Sequence, residues 1–338
     1  MNKEHINQHL HRLTTKKILV VDDSDLSSNS ISAEITASYD IMVFDYATPY
    51  QRYTDEVELF NQLTQLNLPI SWIIVTSNFM YYNSDNSQIV YYPIYLIDGI
   101  DKTVDKISWF NPNIQQLRRH NLSFLTYHLH WHRMLSLISL YKQTWFNTCL
   151  INLLPVDEMN VSQLQGYQNG ILSLNTAELE TMNALFKLAP LVADKTDDQR
   201  EIVNVQNRAF TDCYINMFTE SDYAKPFITE KSIKPFLTGQ FTAVLAHNGV
   251  YNHLHELGFD LLSDYINLDF EIKNVLDVRL VINNVIDQIN KLLPNIEQAW
   301  KDTYRRRQHN YNLARSPALR SKLCRALSEQ LNKHTETI

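Results

Sequence analysis

A chain of 338 residues that is 44% hydrophobic and 20% charged is long enough for two or three domains with a sizeable core, and too apolar to be disordered. Six glycines, none spaced G-x-G-x-x-G or G-x-x-x-x-G-K-[ST], exclude the usual phosphate-cradling loops, and three scattered cysteines (Cys149, Cys213, Cys324) exclude a disulfide framework or a cysteine zinc knuckle. The net charge of −7 is uneven: from Lys301 onward nine Lys/Arg face three Asp/Glu, a balance of +6 that leaves −13 for a remainder expected to repel polyanions.

The opening MNKEHINQHLHRLTTKK lacks the apolar core of a secretory signal, and no apolar run reaches the length of a membrane helix. With the cysteine pattern of a reduced compartment, a cytoplasmic location is expected. Lys17 to Asp22 (KILVVD), Ile41 to Asp45, Ile70 to Thr76 and Ile89 to Leu96 are short runs rich in Val, Ile and Tyr, each the length of a buried strand. Asp55 to Leu66 places apolar residues at helical spacing between two of them, which predicts a parallel α/β sheet. The turn signal Asn111-Pro112-Asn113 suggests a first domain over residues 1–118.

A second α/β pattern fills 119–300. Ser123 to His130 reads as a strand, His132 to Gln143 as a helix, Thr148 to Leu153 as a strand, and Ala177 to Leu188 as a helix after a polar loop. Cys213 to Phe218 and Phe241 to Ala246 read as strands with a helix from Glu230 to Leu237 between them, and Asn248 to Leu257 as a helix. Long helices over Phe270 to Leu293 and Glu297 to Ala314 are interrupted at Pro294, and 301–338 form a basic helical tail. Ligands of such domains bind beyond the carboxyl ends of strands, which points to the ends of the strands preceding Asp22 and Glu220.

Three short patterns invite chemistry. Paired aspartates after a strand (KILVVDDSD) also open phospho-receiver domains, but Asp45 follows Asp23 by only 22 residues, too few for the helix and strand a receiver places before its acceptor aspartate. The other readings are acidic residues at a strand end, or Asp22 and Asp23 lining a cleft. Asp23-Ser24-Asp25 is a D-x-D triplet of the kind that brings manganese to one class of sugar transferase, though there it closes a strand deep inside the nucleotide-binding domain. His128, His130 and His132 would share one face if extended and could bind zinc or copper, but no carboxylate or cysteine lies beside them and a helix is expected to begin there.

The densest constellation is Glu220 to Gly239, ESDYAKPFITEKSIKPFLTG. It follows an apolar strand, with Thr229 as a helix N-cap, Glu230 in the first turn, and Lys231 and Lys234 on one helical face. A helix N-terminus with two lysines suits a phosphate, and a neighbouring carboxylate can accept from both hydroxyls of a ribose. The plain alternative is an ordinary capped amphipathic helix.

Phe227 to Phe236 (FITEKSIKPF) resembles the (Y/F)-(I/V)-T-E-K-x-x-(K/D) segment of nucleotide-sugar transferases. It is similar to that of the α-1,3-fucosyltransferases, and closer to related glycosyltransferases common in phages and other viruses. In the fucosyltransferases E-N-S precedes T-E-K, and Glu220-Ser221 resembles a version lacking the asparagine. Downstream, Phe241 to Ala246, Asn248-Gly249 and Leu257-Gly258-Phe259 resemble the strand, small-residue turn and L-G-F helix end of the relatives; upstream, His132-Arg133 fits their H-R. The resemblance covers roughly residues 120 to 270 and leaves the first 118 unmatched. Asn267 stands where relatives often carry an aspartate, which leaves the nucleotide base open.

The resemblance implies the GT-B architecture, two Rossmann-like α/β domains facing a cleft, with a long C-terminal helix crossing back. It implies an enzyme that moves a sugar from a nucleoside diphosphate donor, a UDP- or GDP-sugar, to an acceptor hydroxyl. Glu230 would hold the ribose and Lys231 and Arg133 the pyrophosphate, with Glu220 and Lys234 completing the donor site. No metal or other cofactor is expected, because protein cations near the leaving diphosphate take that part. The base would come from the N-terminal domain, Asp22 or Asp23 ahead of Asp45 and Asp98. The acceptor is open: a glycan, a small molecule, or a modified base in viral DNA. Arg305, Arg306, Arg307, Arg315, Arg320, Lys322 and Arg325 would either solvate a helix or grip such a polyanion. The competing class is a non-catalytic protein that keeps the fold and the nucleotide pocket.

Overall fold

The structure, a computed structural model, describes residues 10–14, 17–21, 38–46, 56–65, 72–76, 89–92, 97, 113–126, 130–153, 174–191, 208–220, 228–246, 249–270 and 275–333. Its strands are β1 (Ile18–Val21), β2 (Ile41–Tyr46), β3 (Trp72–Thr76), β4 (Ile89–Tyr91), β5 (His120–Thr126), β6 (Leu150–Leu153), β7 (Cys213–Thr219) and β8 (Phe241–Leu245). Its helices are α1 (Glu56–Gln65), α2 (Trp131–Tyr141), α3 (Thr176–Leu188), α4 (Arg208–Thr211), α5 (Lys234–Thr238), α6 (Val250–Leu257), α7 (Val275–Leu292), α8 (Ile296–Asp302), α9 (Tyr304–Ala314) and α10 (Pro317–Lys333). The chain divides into two units: Met1–Asp98 with Lys225–Thr229 and Ser316–Ile338, and Gly99–Ala224 with Glu230–Arg315. The α/β class, the parallel sheets and the C-terminal helix are as the sequence predicts.

The first unit is a parallel sheet in the order β1-β2-β3-β4. Such a sheet is covered on both faces, so its strands are apolar at successive residues and not at alternate ones: Trp72, Ile73, Ile74 and Val75 are all buried. From α1, Leu59 and Leu63 fall one helical turn apart and pack with Val21, Met42, Phe44 and Ile74, while Phe60 meets Trp72 edge-on at 5.6 Å. Asp40 Oδ2 accepts from the Lys17 backbone N–H at 2.7 Å and holds the start of β1 beside β2. α10 packs against β4, so the C-terminal helix belongs with the N-terminal strands.

The second unit is also a parallel sheet, in the order β6-β5-β7-β8. α2 is buried from His132 to Ile138 and packs on α3 and α7, while α5 packs on α9. α3 starts where its cap dictates: Asn175 Oδ1 accepts from Glu178 N at 3.0 Å, and Glu178 Oε2 accepts from Asn175 N at 3.0 Å. The other oxygen of Glu178 pairs with Arg279 of α7 at 2.7 Å.

Two expected helices differ. The predicted helix over Glu230 to Leu237 is a 3-10 turn, Glu230–Ser232, followed by the five-residue α5. Pro235 is the reason: it has no N–H, clashes with a preceding helical turn, and is accommodated only where a helix begins. Thr229 therefore caps no α-helix, and Lys231 and Lys234 do not share one helical face. The predicted helix over Glu297 to Ala314 is likewise broken into α8 and α9 at Thr303, whose hydroxyl bonds back to Ala299 O at 2.7 Å, a contact that bends helices.

Candidate functional site

From β5 the chain passes to β6 on one side and later returns to β7 on the other, so strand order reverses between β5 and β7. Connections leaving the carboxyl ends of two such strands diverge, and the crevice between them is where open parallel sheets bind ligands. Among its described strands the first unit has no such reversal. The site is therefore sought at the β5/β7 ends, where the first turn of α2, the end of β7 and the Glu230–Ser232 turn come together.

Hydrogen bonds hold these segments together. Arg133, buried in the first turn of α2, donates from Nε to Thr219 Oγ1 at 3.0 Å, which fixes the plane of its guanidinium. Glu220 extends the β7–β8 pairing by one bond, its N–H reaching Leu245 O at 2.9 Å. The Glu220 side chain is 0% exposed, and Oε1 accepts from Ser232 Oγ at 2.7 Å, which ties the turn carrying Lys231 to the strand end.

His132 reports the field of the site. Burial pushes its pKa well below the ordinary value, and the charges of Arg133, His130 and Lys231 push the same way. The His130 ring stacks on it in parallel at 5.5 Å and Trp131 meets it edge-on at 5.4 Å. Arg133 and Lys231 thus both act on one buried ring. The depressed pKa carries a stability consequence. Below its ordinary pKa of 6.5 the unfolded chain takes up a proton at His132 that the folded chain does not, so stability falls as pH drops through that window. Urea midpoints are expected to decline more steeply in wild type than in His132→Gln between about pH 7.5 and about pH 5; equal slopes would show that His132 contributes nothing.

Of the other predicted residues, Glu230 is in the same turn as Lys231 and Lys234 is not. Asp22 and Asp23, expected to act as base, lie outside the described residues, as do Asp98, His128, Ser24 and Asp25. Asp45 stands in β2 opposite Val75 of β3. Glu230 opens the 3-10 turn beside Lys231. Lys234 is buried, with Nζ 5.8 Å from the Phe210 ring centroid; Phe210 belongs to α4, which leads into the start of β7, the end opposite Glu220. Among the described residues no three His, Cys, Asp or Glu side chains gather as metal ligands would, and no helix is long and apolar enough to cross a membrane.

Several basic side chains of the tail are engaged inside the chain. Arg306 pairs with Asp260 at 2.6 Å and Asp264 at 2.8 Å, which lifts its pKa further and lowers that of Asp260. Arg307 is buried, Arg315 donates to the Tyr311 hydroxyl, and Arg325 lies 4.0 Å from Glu329. Thr219 and Ser232 are the site residues that the sequence did not single out; their only signal was adjacency to Glu220 and Lys231.

No family model matches this sequence, and no curated protein matches it significantly. Among solved structures, the chain is similar to a glycosyltransferase from Rickettsia africae ESF-5, at 12% identity and a TM-score of 0.47, over 99% of this chain and 94% of that one. It is also similar to HepE of Anabaena, solved in complex with UDP and glucose, at 11% identity and a TM-score of 0.42, over 90% of this chain and 80% of that one.

Proposed function

We propose that this protein is a glycosyltransferase of the GT-B type that moves a sugar from a nucleoside diphosphate donor to an acceptor hydroxyl. The observation that carries the reading is the gathering of Arg133 and Lys231 about buried His132 where strand order reverses between β5 and β7. Negative charge builds on the diphosphate as the glycosidic bond breaks, and cations held in place beforehand stabilise that transition state more than the ground state. Arg133 has its Nε committed to Thr219, so its guanidinium is held in place beforehand and would meet the diphosphate with little reorganisation. Glu230, one residue before Lys231, would receive the ribose hydroxyls. In this reading the protein's own cations do what a metal does elsewhere.

Asp22 or Asp23 is proposed as the base that takes the acceptor's proton. For the acceptor, the engagement of Arg306 with two aspartates and the burial of Arg307 remove charge from a DNA-binding tail, which favours a glycan or a small molecule.

Hydrolysis and transfer assays with a panel of UDP-, GDP- and CMP-sugars test the reading. One donor is expected to turn over, and Lys231→Ala to abolish that turnover. A nucleotide bound without turnover would make the protein the non-catalytic binder instead, and full activity in Lys231→Ala would remove the donor site from this turn.

A further inference from the structure

We infer that Glu220 is a positioning residue: through Ser232 it holds the turn bearing Lys231 on the end of β7, and so sets Lys231 against Arg133. The inference rests on the donor reading of the same site and adds what keeps its two cations in register.

The carboxylate of Glu220 is 0% exposed and one oxygen is taken by Ser232 at 2.7 Å, so it is poorly placed to receive a ligand hydroxyl. Its backbone is an anchor as well: the N–H goes to Leu245 O of β8 at 2.9 Å. One residue thus connects β8 and the Glu230–Ser232 turn. That turn needs an external tie. Three residues of 3-10 helix have weak internal hydrogen-bond geometry, and Pro235 prevents the chain from continuing a single helix through it. Ser232 lies within the turn and next to Lys231, so the hydrogen bond to Glu220 acts at the residue adjoining the cation. Arg133 reaches the same strand end independently, through Thr219, the neighbour of Glu220. Both cations are therefore referenced to two consecutive residues at the end of β7.

Titration of the full chain with UDP and with GDP, in wild type and variants, tests this. Ser232→Ala is expected to weaken binding of the preferred diphosphate by about tenfold. Ser232→Thr, which keeps the hydroxyl, is expected to restore it. Glu220→Gln keeps an acceptor oxygen for Ser232 and is expected to bind within about twofold of wild type. The double variant Ser232→Ala/Lys231→Ala should bind no worse than Lys231→Ala alone, because a residue that acts through Lys231 has nothing left to position. Losses that simply add, or wild-type binding in Ser232→Ala beside weakened binding in Lys231→Ala, would overturn the positioning role while leaving the donor site standing. Absence of any diphosphate binding to wild type, or wild-type binding in Lys231→Ala, would overturn the donor reading and this inference with it. Urea unfolding of each variant separates loss of binding from loss of fold.

Discussion

Arg133→Ala is expected to lower kcat/KM for the sugar donor by about 10²- to 10³-fold, the cost of removing one preorganised charge donor from a site where negative charge develops. Arg133 stands in the first turn of α2, beyond the carboxyl end of β5, and is held by Thr219 at the carboxyl end of β7. It therefore spans the two strands between which the order reverses, and its guanidinium cannot drift without losing a buried bond. Because its proposed partner is the departing diphosphate, kcat and kcat/KM should fall together; a rise in KM alone would mean that it grips donor and transition state equally. Arg133→Lys sharpens the test. A lysine keeps the charge but lacks the planar fork and the Nε that bonds Thr219, so it should recover only part of the loss. Steady-state kinetics on both variants, with urea unfolding as a control for fold, decide the matter. Unchanged kcat/KM in Arg133→Ala would take the diphosphate away from this crevice.

The strands were legible because parallel sheets bury both faces. Runs such as KILVVD and CYINMF carry no alternation to misread, and they became β1 and β7 within a residue or two. Glu230 and Lys231 also stand out in the sequence, as a short acidic-basic pair after a strand. What they do there was not legible, because it depends on partners set by topology. Nothing local announces that β7 returns to the far side of β5, and that reversal is what brings Arg133 to Thr219 across 86 residues. The predicted helix over Glu230 to Leu237, drawn from its capping and charge pattern, is split by Pro235, which has no N–H, and Lys234 lies by Phe210. The basic tail misled for a similar reason. Charge counted along the chain could not reveal that Arg306 finds Asp260 and Asp264 more than forty residues earlier, or that Arg307 is core.

Arg307 carries the second large expected effect: Arg307→Met should destabilise the fold by about 3 kcal/mol or more. The side chain is 1% exposed and donates to Ile114 O at 2.7 Å, Gly239 O at 3.1 Å, Trp300 O at 2.5 Å and Thr303 Oγ1 at 3.1 Å. Its guanidinium also lies 3.5 Å from the Trp300 ring centroid, with Arg118 at 5.0 Å from that ring. Two effects oppose each other in the variant. Burial of the charge is costly, as the pull of its pKa down to about 9 shows, with Arg118 adding repulsion, and methionine removes both burdens. Yet the partners are backbone carbonyls, which stay behind. Each buried acceptor left without a donor costs about 1–3 kcal/mol; Ile114 O and Gly239 O lose this donor, while Trp300 O keeps a longer bond from the Thr303 hydroxyl at 3.4 Å. They cannot readily move to find others: Gly239 is held at φ +70, and even an added Cβ there would come within 3.0 Å of Ile114. The orphaned carbonyls should therefore outweigh the relief of charge. Arg307→Lys keeps the charge but cannot reach acceptors on three separate segments, so it should lose most of the same stability. Urea unfolding with a common m-value measures both. A midpoint in Arg307→Met equal to wild type would mean that water or a backbone shift satisfies the carbonyls left behind, and that the guanidinium is no keystone of this unit.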